Sequence, residues 1–454
     1  MTPNRAVRKL ISRAAKALTD RPEWLALLAG AVVAGVLTLA LLRVNTTTRS
    51  SYISALAISD PSMTAISTML ERGDLWGAST RVESSYRFDR PAGLLALRRF
   101  SVLVLRRGLQ ERDPYERCYA ISALAAAGDR SQIAKLVSIF ARAQATGLKM
   151  AVADGLGDVG DADAVEALGR LYHSAGPSDE WIIVNGLAEA HDPSAIELLS
   201  RSLNVSDRAT RLAAERGLGQ LGNHGAVPIL RRSLAATRDS FEKANIGYSL
   251  LRLGDRSAEQ MVEAILRGHV DGNARAMAAL ALGRAGDPRV VGLLRAAMND
   301  NAIDVRIGAA VALTHYADPA GTEYLRAAIR DQDSMTRLHV GQLLDELEFR
   351  NAREVVTAAA VSDDPELSMQ GIRAIGLSGS DREVEFLIRL ADTASDPITR
   401  AEVAWALGRI GGASSVAPLI AMVAEPDHTV RYTAADALDR AAIGLLENAG
   451  AGGA

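Results

Sequence analysis

The sequence predicts an all-α fold, a solenoid of about ten helical hairpins preceded by one N-terminal transmembrane helix. Three observations predict it. A unit typified by residues 274–300, ARAMAALALGRAGDPRVVGLLRAAMND, recurs from Asp113 to Asp436. Hydrophobic residues make up 48% of the chain but aromatics 4%, so the core is built from Ala, Leu, Val and Ile, which suits close helix packing better than a β-sandwich. Finally, no residue from Trp24 to Leu42 is charged.

The repeated unit is a helical hairpin. Ala278, Ala281, Leu282 and Ala285 share one face of its first half, and Val291, Leu294, Ala297 and Met298 repeat that spacing in the second. Between them, Gly286 takes the left-handed conformation that ends a helix, Asp287 caps the next one, and Pro288 fits a first turn that needs no amide donor. Each hairpin leaves an apolar face that it can bury only against another copy, so the unit comes in an array. An array grows in one dimension, and the 454 residues are read as one long body.

In chain order, residues 1–21 form a basic cytoplasmic segment and 22–43 the transmembrane helix; 44–90 are a linker with short helices, 91–446 the solenoid and 447–454 a flexible tail. The span Trp24 to Leu42 covers about 28 Å at helical rise, close to a bilayer core. Arg5, Arg8, Lys9, Arg13, Lys16 and Arg21 precede it, against Asp20, a balance of +5. Only Arg43 and Arg49 follow closely. This bias places the N-terminus in the cytoplasm and the repeats across the membrane. A cleaved signal peptide is the competing reading, but no A-x-A site follows Leu42. Short helices are expected over Ser62–Arg72 and Thr80–Phe88, and residues 91–112 as a helix that caps the first repeat, since Arg98, Arg99, Arg106 and Arg107 exclude a second span.

The repeats are counted by their inter-helix position: Asp129, Asp161, Asp192, Asn223, Asp255, Asp287, Asp318, Phe349, Asp381 and Gly412, 31 or 32 residues apart. Five residues earlier stand nine leucines in ten copies, with Gly376 the exception. A last helix from Val430 starts a further copy. This pattern resembles the HEAT-like repeat family, in particular the short bacterial type of the phycobilin lyases, through Asp-Pro starts at Asp113, Asp364 and Asp396, AWALGRIG at 404–411 and ALALGRAGDP at 279–288. The resemblance implies the solenoid fold and a bacterial origin, and leaves function open. Repeats eight and nine depart from the pattern at Glu348-Phe349 and Gly376, where curvature is expected to change.

Twelve residues before the turn runs a ladder of cations: Arg117, Lys149, Arg211, Lys243, Arg275, Arg306, Arg337 and Arg400, then Arg431. Seven follow an aspartate by four residues, which reads as a helix cap with its neighbouring ion pair rather than an anion-binding spine. Seven residues before the turn, a position expected to point away from the core is polar at Ser122, Asp154, Asn185, Arg216 and Gln342. It is apolar at Tyr248, Leu280 and Val311, three consecutive copies, and the expectation is an exposed apolar strip that binds a protein partner, with Trp405 a separate candidate.

No catalytic residue, metal site or cofactor is expected. The seven histidines occupy no recurring position, none precedes a Glu, and GxSxG, HExxH and GxxxxGK are absent. With a net charge of -3 and +5 in the first 21 residues, the remainder carries -8, which argues against a nucleic-acid partner. The single cysteine, Cys118, excludes an internal disulfide. The expected function is a membrane-anchored, non-enzymatic scaffold for protein partners in the bacterial envelope, with the repeats periplasmic. The alternative, implied by the resemblance, is a ligand- or chromophore-handling protein similar to the phycobilin lyases.

Overall fold

The computed structural model describes residues 61–88 and 90–451. Among them there is no strand. The expected membrane span, Trp24 to Leu42, lies outside the described residues; among the described residues no helix is long and apolar enough to cross a membrane.

Helices α1 (Pro61–Glu71), α2 (Leu75–Phe88) and α3 (Arg90–Gly108) come first; α1 and α3 lie where helices were expected, and α2 begins five residues before the expected Thr80. The hairpins follow as α4/α5 (Pro114–Ala126, Ser131–Arg142), α6/α7 (Thr146–Val159, Ala162–Ser174), α8/α9 (Pro177–Glu189, Ile196–Ser202), α10/α11 (Arg208–Gln220, Val227–Ala236) and α12/α13 (Ser240–Arg252, Glu259–Arg267). Then come α14/α15 (Gly272–Gly283, Val291–Ala297), α16/α17 (Ile303–Thr314, Pro319–Ala328), α18/α19 (Ser334–Gly341, Phe349–Ala360), α20/α21 (Pro365–Ser378, Asp381–Thr393) and α22/α23 (Pro397–Ile410, Ala413–Val423). A last helix, α24, spans His428–Ala451 and so runs past 446, where the tail was expected to begin.

The turns follow the chemistry read from the sequence. Gly160, Gly222, Gly254, Gly286 and Gly411 have positive φ, and His191 and Ala317 take the same conformation without being glycine. The carboxylates of Asp192, Asp255, Asp287 and Asp318, and the Asn223 amide oxygen, then accept from a backbone N–H two residues on. All seven aspartates of the cation ladder cap their helices, from Asp113, which accepts from the amides of Tyr115 and Glu116, to Asp427. The ladder arginines do something further. Arg117, Arg306, Arg337 and Arg431 each donate to the carbonyl six residues earlier, at 2.7–2.9 Å, tying down the loop that enters the helix. Arg337 and Arg275 also reach Asp364 and Asp300 of the following segment.

Successive first helices pack side by side from α4 through α24, with the second helices outside them. The row does not end free. Helix α24 lies along α3 and touches α4, while α3 packs on α4 and α23 on α2. Since α3 precedes α4 as every second helix precedes the next first helix, α3 is the second helix that α24 lacks. An eleventh hairpin is therefore assembled from the two ends of the folded unit, and the row of first helices returns on itself. The apolar face of α3, including Leu97, Phe100 and Val104, is fully buried in a cluster that also contains Val430, Leu438 and Ala441.

Candidate binding cavity at the closing seam

The inward positions of the first helices carry the chemistry. Where α4 and α6 face α20, α22 and α24, they enclose a cavity of about 610 Å³. Its charged lining is Asp113, Glu116, Asp154, Asp158, Glu402 and Asp436 against Arg373 and Arg440. Tyr115, Tyr119, Tyr432, Trp405 and Ile398 supply the aromatic and apolar wall. At the rim, Tyr115 is 45% and Ile398 65% exposed, large apolar surfaces beside an opening.

Most of these charges are engaged. Arg373 grips Glu402 through Nε and Nη2 at 2.9 and 2.8 Å. Arg440 donates from Nε to Asp436 at 3.1 Å and stands 3.8 Å from Asp158, while Tyr119 Oη donates to Asp436 at 3.3 Å. The Asp436 carboxylate, helped by Asp158, holds the Arg440 guanidinium charged against the opposing effect of burial. Burial, then Asp436, raises the Tyr119 hydroxyl well above its usual range, so it remains a donor. Asp154 differs. Protein surrounding its carboxyl, then the like charges of Glu189 and Asp158, push it up to about 6 against the pull of Arg373.

At the lip of the seam, His428 Nδ1 lies 3.1 Å from Glu111 and 3.6 Å from Glu116, and Tyr432 Oη donates to Glu111 at 2.5 Å. One ligand atom from each of Glu111, Glu116 and His428 falls within 4.8 Å of the others. Tyr432 and His428 of α24 both approach Glu111 across the join, which ties the two ends together. Deeper, Arg98 Nε meets Asp439 at 3.0 Å with both side chains buried.

At the position seven before each turn, the expected exposed strip is not exposed. Tyr248 is 5% and Val311 1% exposed, and Leu280 is half-buried. The cause is the irregular eighth repeat: α18 ends early at Gly341, and the turn Leu344–Glu346 folds inward. Tyr248 Oη donates to Glu346 Oε2 at 2.5 Å, Arg284 pairs with the same carboxylate and lies over the Tyr248 ring at 5.8 Å, and the Glu346 carbonyl meets His315 Nε2 at 2.9 Å. Leu280 joins Phe241, Ile307 and Leu343 around a separate hollow of about 270 Å³. Trp405 is half-buried in the seam cavity, where Ser122 and Asp154 of the same register also line the wall. Sequence reasoning missed Tyr119, Arg373, Glu402, Asp436 and Arg440. The i,i+4 pairs Asp154/Asp158 and Asp436/Arg440 were visible, but which copies face one another depends on closure.

A family model described as HEAT repeats matches residues 177–250, 259–345, 322–407 and 352–439, together more than half of the chain. No curated protein matches it. Among solved structures, human deoxyhypusine hydroxylase in complex with glycerol is 20% identical, covering 56% of this chain and 96% of that one with a TM-score of 0.26. The complex of CpcE and CpcF of phycocyanin lyase from Nostoc sp. is 19% identical over 54% of this chain and 94% of that one, TM-score 0.34. The karyopherin Kap121p bound to the extreme C-terminus of the protein phosphatase Cdc14p is 12% identical over 83% and 49%, TM-score 0.32. With its helical hairpins at a period of 31 or 32 residues and a family match over most of the repeat region, the chain belongs to the HEAT-repeat family.

Proposed function

We propose that the chain is a non-enzymatic scaffold that holds a protein partner at the seam cavity, tethered by residues 24–42 to a bacterial inner membrane with the repeats periplasmic. The observation that supports the partner site is the pairing of an open, acid-lined cavity with the exposed apolar surface of Tyr115 and Ile398 on its wall. Contiguous exposed apolar groups around a pocket are what a protein interface buries at its centre. The experiment is a pull-down from detergent extract with mass spectrometry, comparing the native chain with Tyr115→Asp/Ile398→Asp. A partner that disappears with the rim variant supports the reading; a partner retained by the variant removes the cavity from it. Turnover by the purified protein that is lost on a single-residue change would overturn the non-enzymatic role. Tethering predicts that removal of residues 1–59 releases the chain from the membrane fraction.

A second reading is favoured by the cavity volume, which lies in the range of small-molecule sites. In that reading the ring encloses a ligand or chromophore. A pigment or small molecule that co-purifies with the native chain and is lost with Trp405→Ala would favour it.

A further inference from the structure

Asp154, exposed on the cavity wall, is the cavity carboxylate whose oxygens have neither a hydrogen-bond donor nor an ion-pair partner within bonding distance. Asp113 is spent on the amides of Tyr115 and Glu116, Glu116 faces His428, Glu402 holds Arg373, and Asp158 and Asp436 share Arg440. Asp154 sits one helical turn before Asp158 on α6, open to the cavity, among the like charges of Asp158 and, from α8, Glu189; the Arg373 guanidinium on α20 is the cation felt there, and it is already clamped by Glu402. The remaining wall includes Tyr115, Tyr119, Tyr432 and Trp405 among small side chains, and one face of Trp405 already attracts a cation, Arg409, at 5.7 Å. Even with Arg409 counted, acid exceeds base around this space. An anionic ligand would meet that excess; a cationic one would relieve it.

We propose that the seam cavity receives the ammonium or guanidinium head of a lysine or arginine side chain of the partner protein, with Asp154 as its counter-charge and the tyrosine and tryptophan side chains as its wall. This rests on the protein-binding reading above. The exposed Tyr115 and Ile398 at the mouth supply the reason for a peptide-borne cation rather than a free amine, because they offer apolar surface for backbone and neighbouring side chains to cover. A long alkyl stem ending in a charge fits an entrance that is apolar and an interior that is acidic.

The test uses the full chain in detergent and three probes: tetralysine, the same peptide with its side chains acetylated, and spermine. Binding is followed by titration calorimetry for the native chain, for Asp154→Asn, and for Glu385→Gln, a charge-matched control on the outer helix α21 where Glu385 is exposed. The expected result is that native and Glu385→Gln bind tetralysine alike, that Asp154→Asn weakens binding at least tenfold, and that acetylation abolishes it. Affinity also rises between about pH 5 and pH 7, because below about 6 Asp154 keeps its proton, and this rise is absent from Asp154→Asn. Equal weakening by both variants, binding of the acetylated peptide, or no binding to the native chain overturns the proposal. Spermine binding tighter than tetralysine overturns the peptide source. A partner that the Tyr115→Asp/Ile398→Asp variant loses but Asp154→Asn retains leaves the scaffold role standing and sinks the cation; a partner indifferent to both sinks the cavity as a docking site.

Discussion

Arg98 and Asp439, 341 positions apart, form an ion pair at 3.0 Å inside the hairpin made from the two ends of the folded unit. Arg98 Nη2 also donates to the Ala127 carbonyl at 3.3 Å, so the pair binds α24 to the turn after α4 as well as to α3. Removing one partner strands the other charge away from water. Arg98→Leu is expected to cost about 3–5 kcal/mol, and Arg98→Leu/Asp439→Leu to recover most of it. Urea denaturation of the two variants measures both, and a double variant no more stable than the single would show that the pair is not what closes the seam.

Glu215 makes stability fall with pH. The residue is 1% exposed, with its carboxylate held by Asn245 Nδ2 at 2.7 Å, and burial raises it to about 8 in spite of that bond. A folded value above the unfolded one means that the unfolded chain gives up its proton first. Stability from this group is therefore full below the ordinary carboxylate range and drops up to pH 8, by at most about 1.4 kcal/mol per pH unit. Glu215→Gln keeps the amide contact and is expected to flatten that slope; an unchanged slope in pH-dependent thermal melts would refute it.

Ala317 carries strain that the neighbouring repeats avoid. Its φ of 53° occupies the position where Gly286 has 66°, and its side chain is exposed. Ala317→Gly is expected to raise stability by about 1 kcal/mol, less the entropy that glycine adds to the unfolded chain. A rise in melting temperature tests it.

Tyr248 is a donor that keeps Glu346 ionised. Burial alone would raise the Glu346 carboxyl, but the Arg284 charge and the Tyr248 hydroxyl outweigh it and hold it below the usual range, while Tyr248 itself is pushed up to about 12. A depressed folded value contributes stability above the unfolded one and loses it as pH falls through the folded one. Tyr248→Phe is thus expected to cost about 1.5–3 kcal/mol near neutral pH and less in acid, measured by denaturant titration at both.

The hairpins and turns were legible because they obey local rules. A glycine with positive φ, an aspartate cap and a leucine five residues earlier act within one copy, and the structure reproduces them at Gly286 and Asp287. The loop-clamping role of Arg117 and Arg337 was not read, since an arginine near an aspartate suggests an ion pair before it suggests a carbonyl ligand. The interior was illegible for a different reason. A residue pointing away from its hairpin's core, such as Tyr248 or Val311, is exposed in an open array and buried in one that curls back on itself. Closure shows in contacts between the two ends, such as Arg98 with Asp439, which no single repeat discloses.

An assembly whose last hairpin is completed by a helix from near its beginning also has an order of events written into it. Helix α3 is synthesised some 320 residues before the start of α24, so at ribosomal rates its partner follows roughly 15–60 s later. Throughout that interval Leu97, Phe100 and Val104 lack the α24 side of their final surroundings. The nascent chain must therefore either shield that face with the neighbouring α2 or be guarded by other factors until translation ends. Length added between the repeats would prolong the wait, and truncation at the C-terminus would make it permanent.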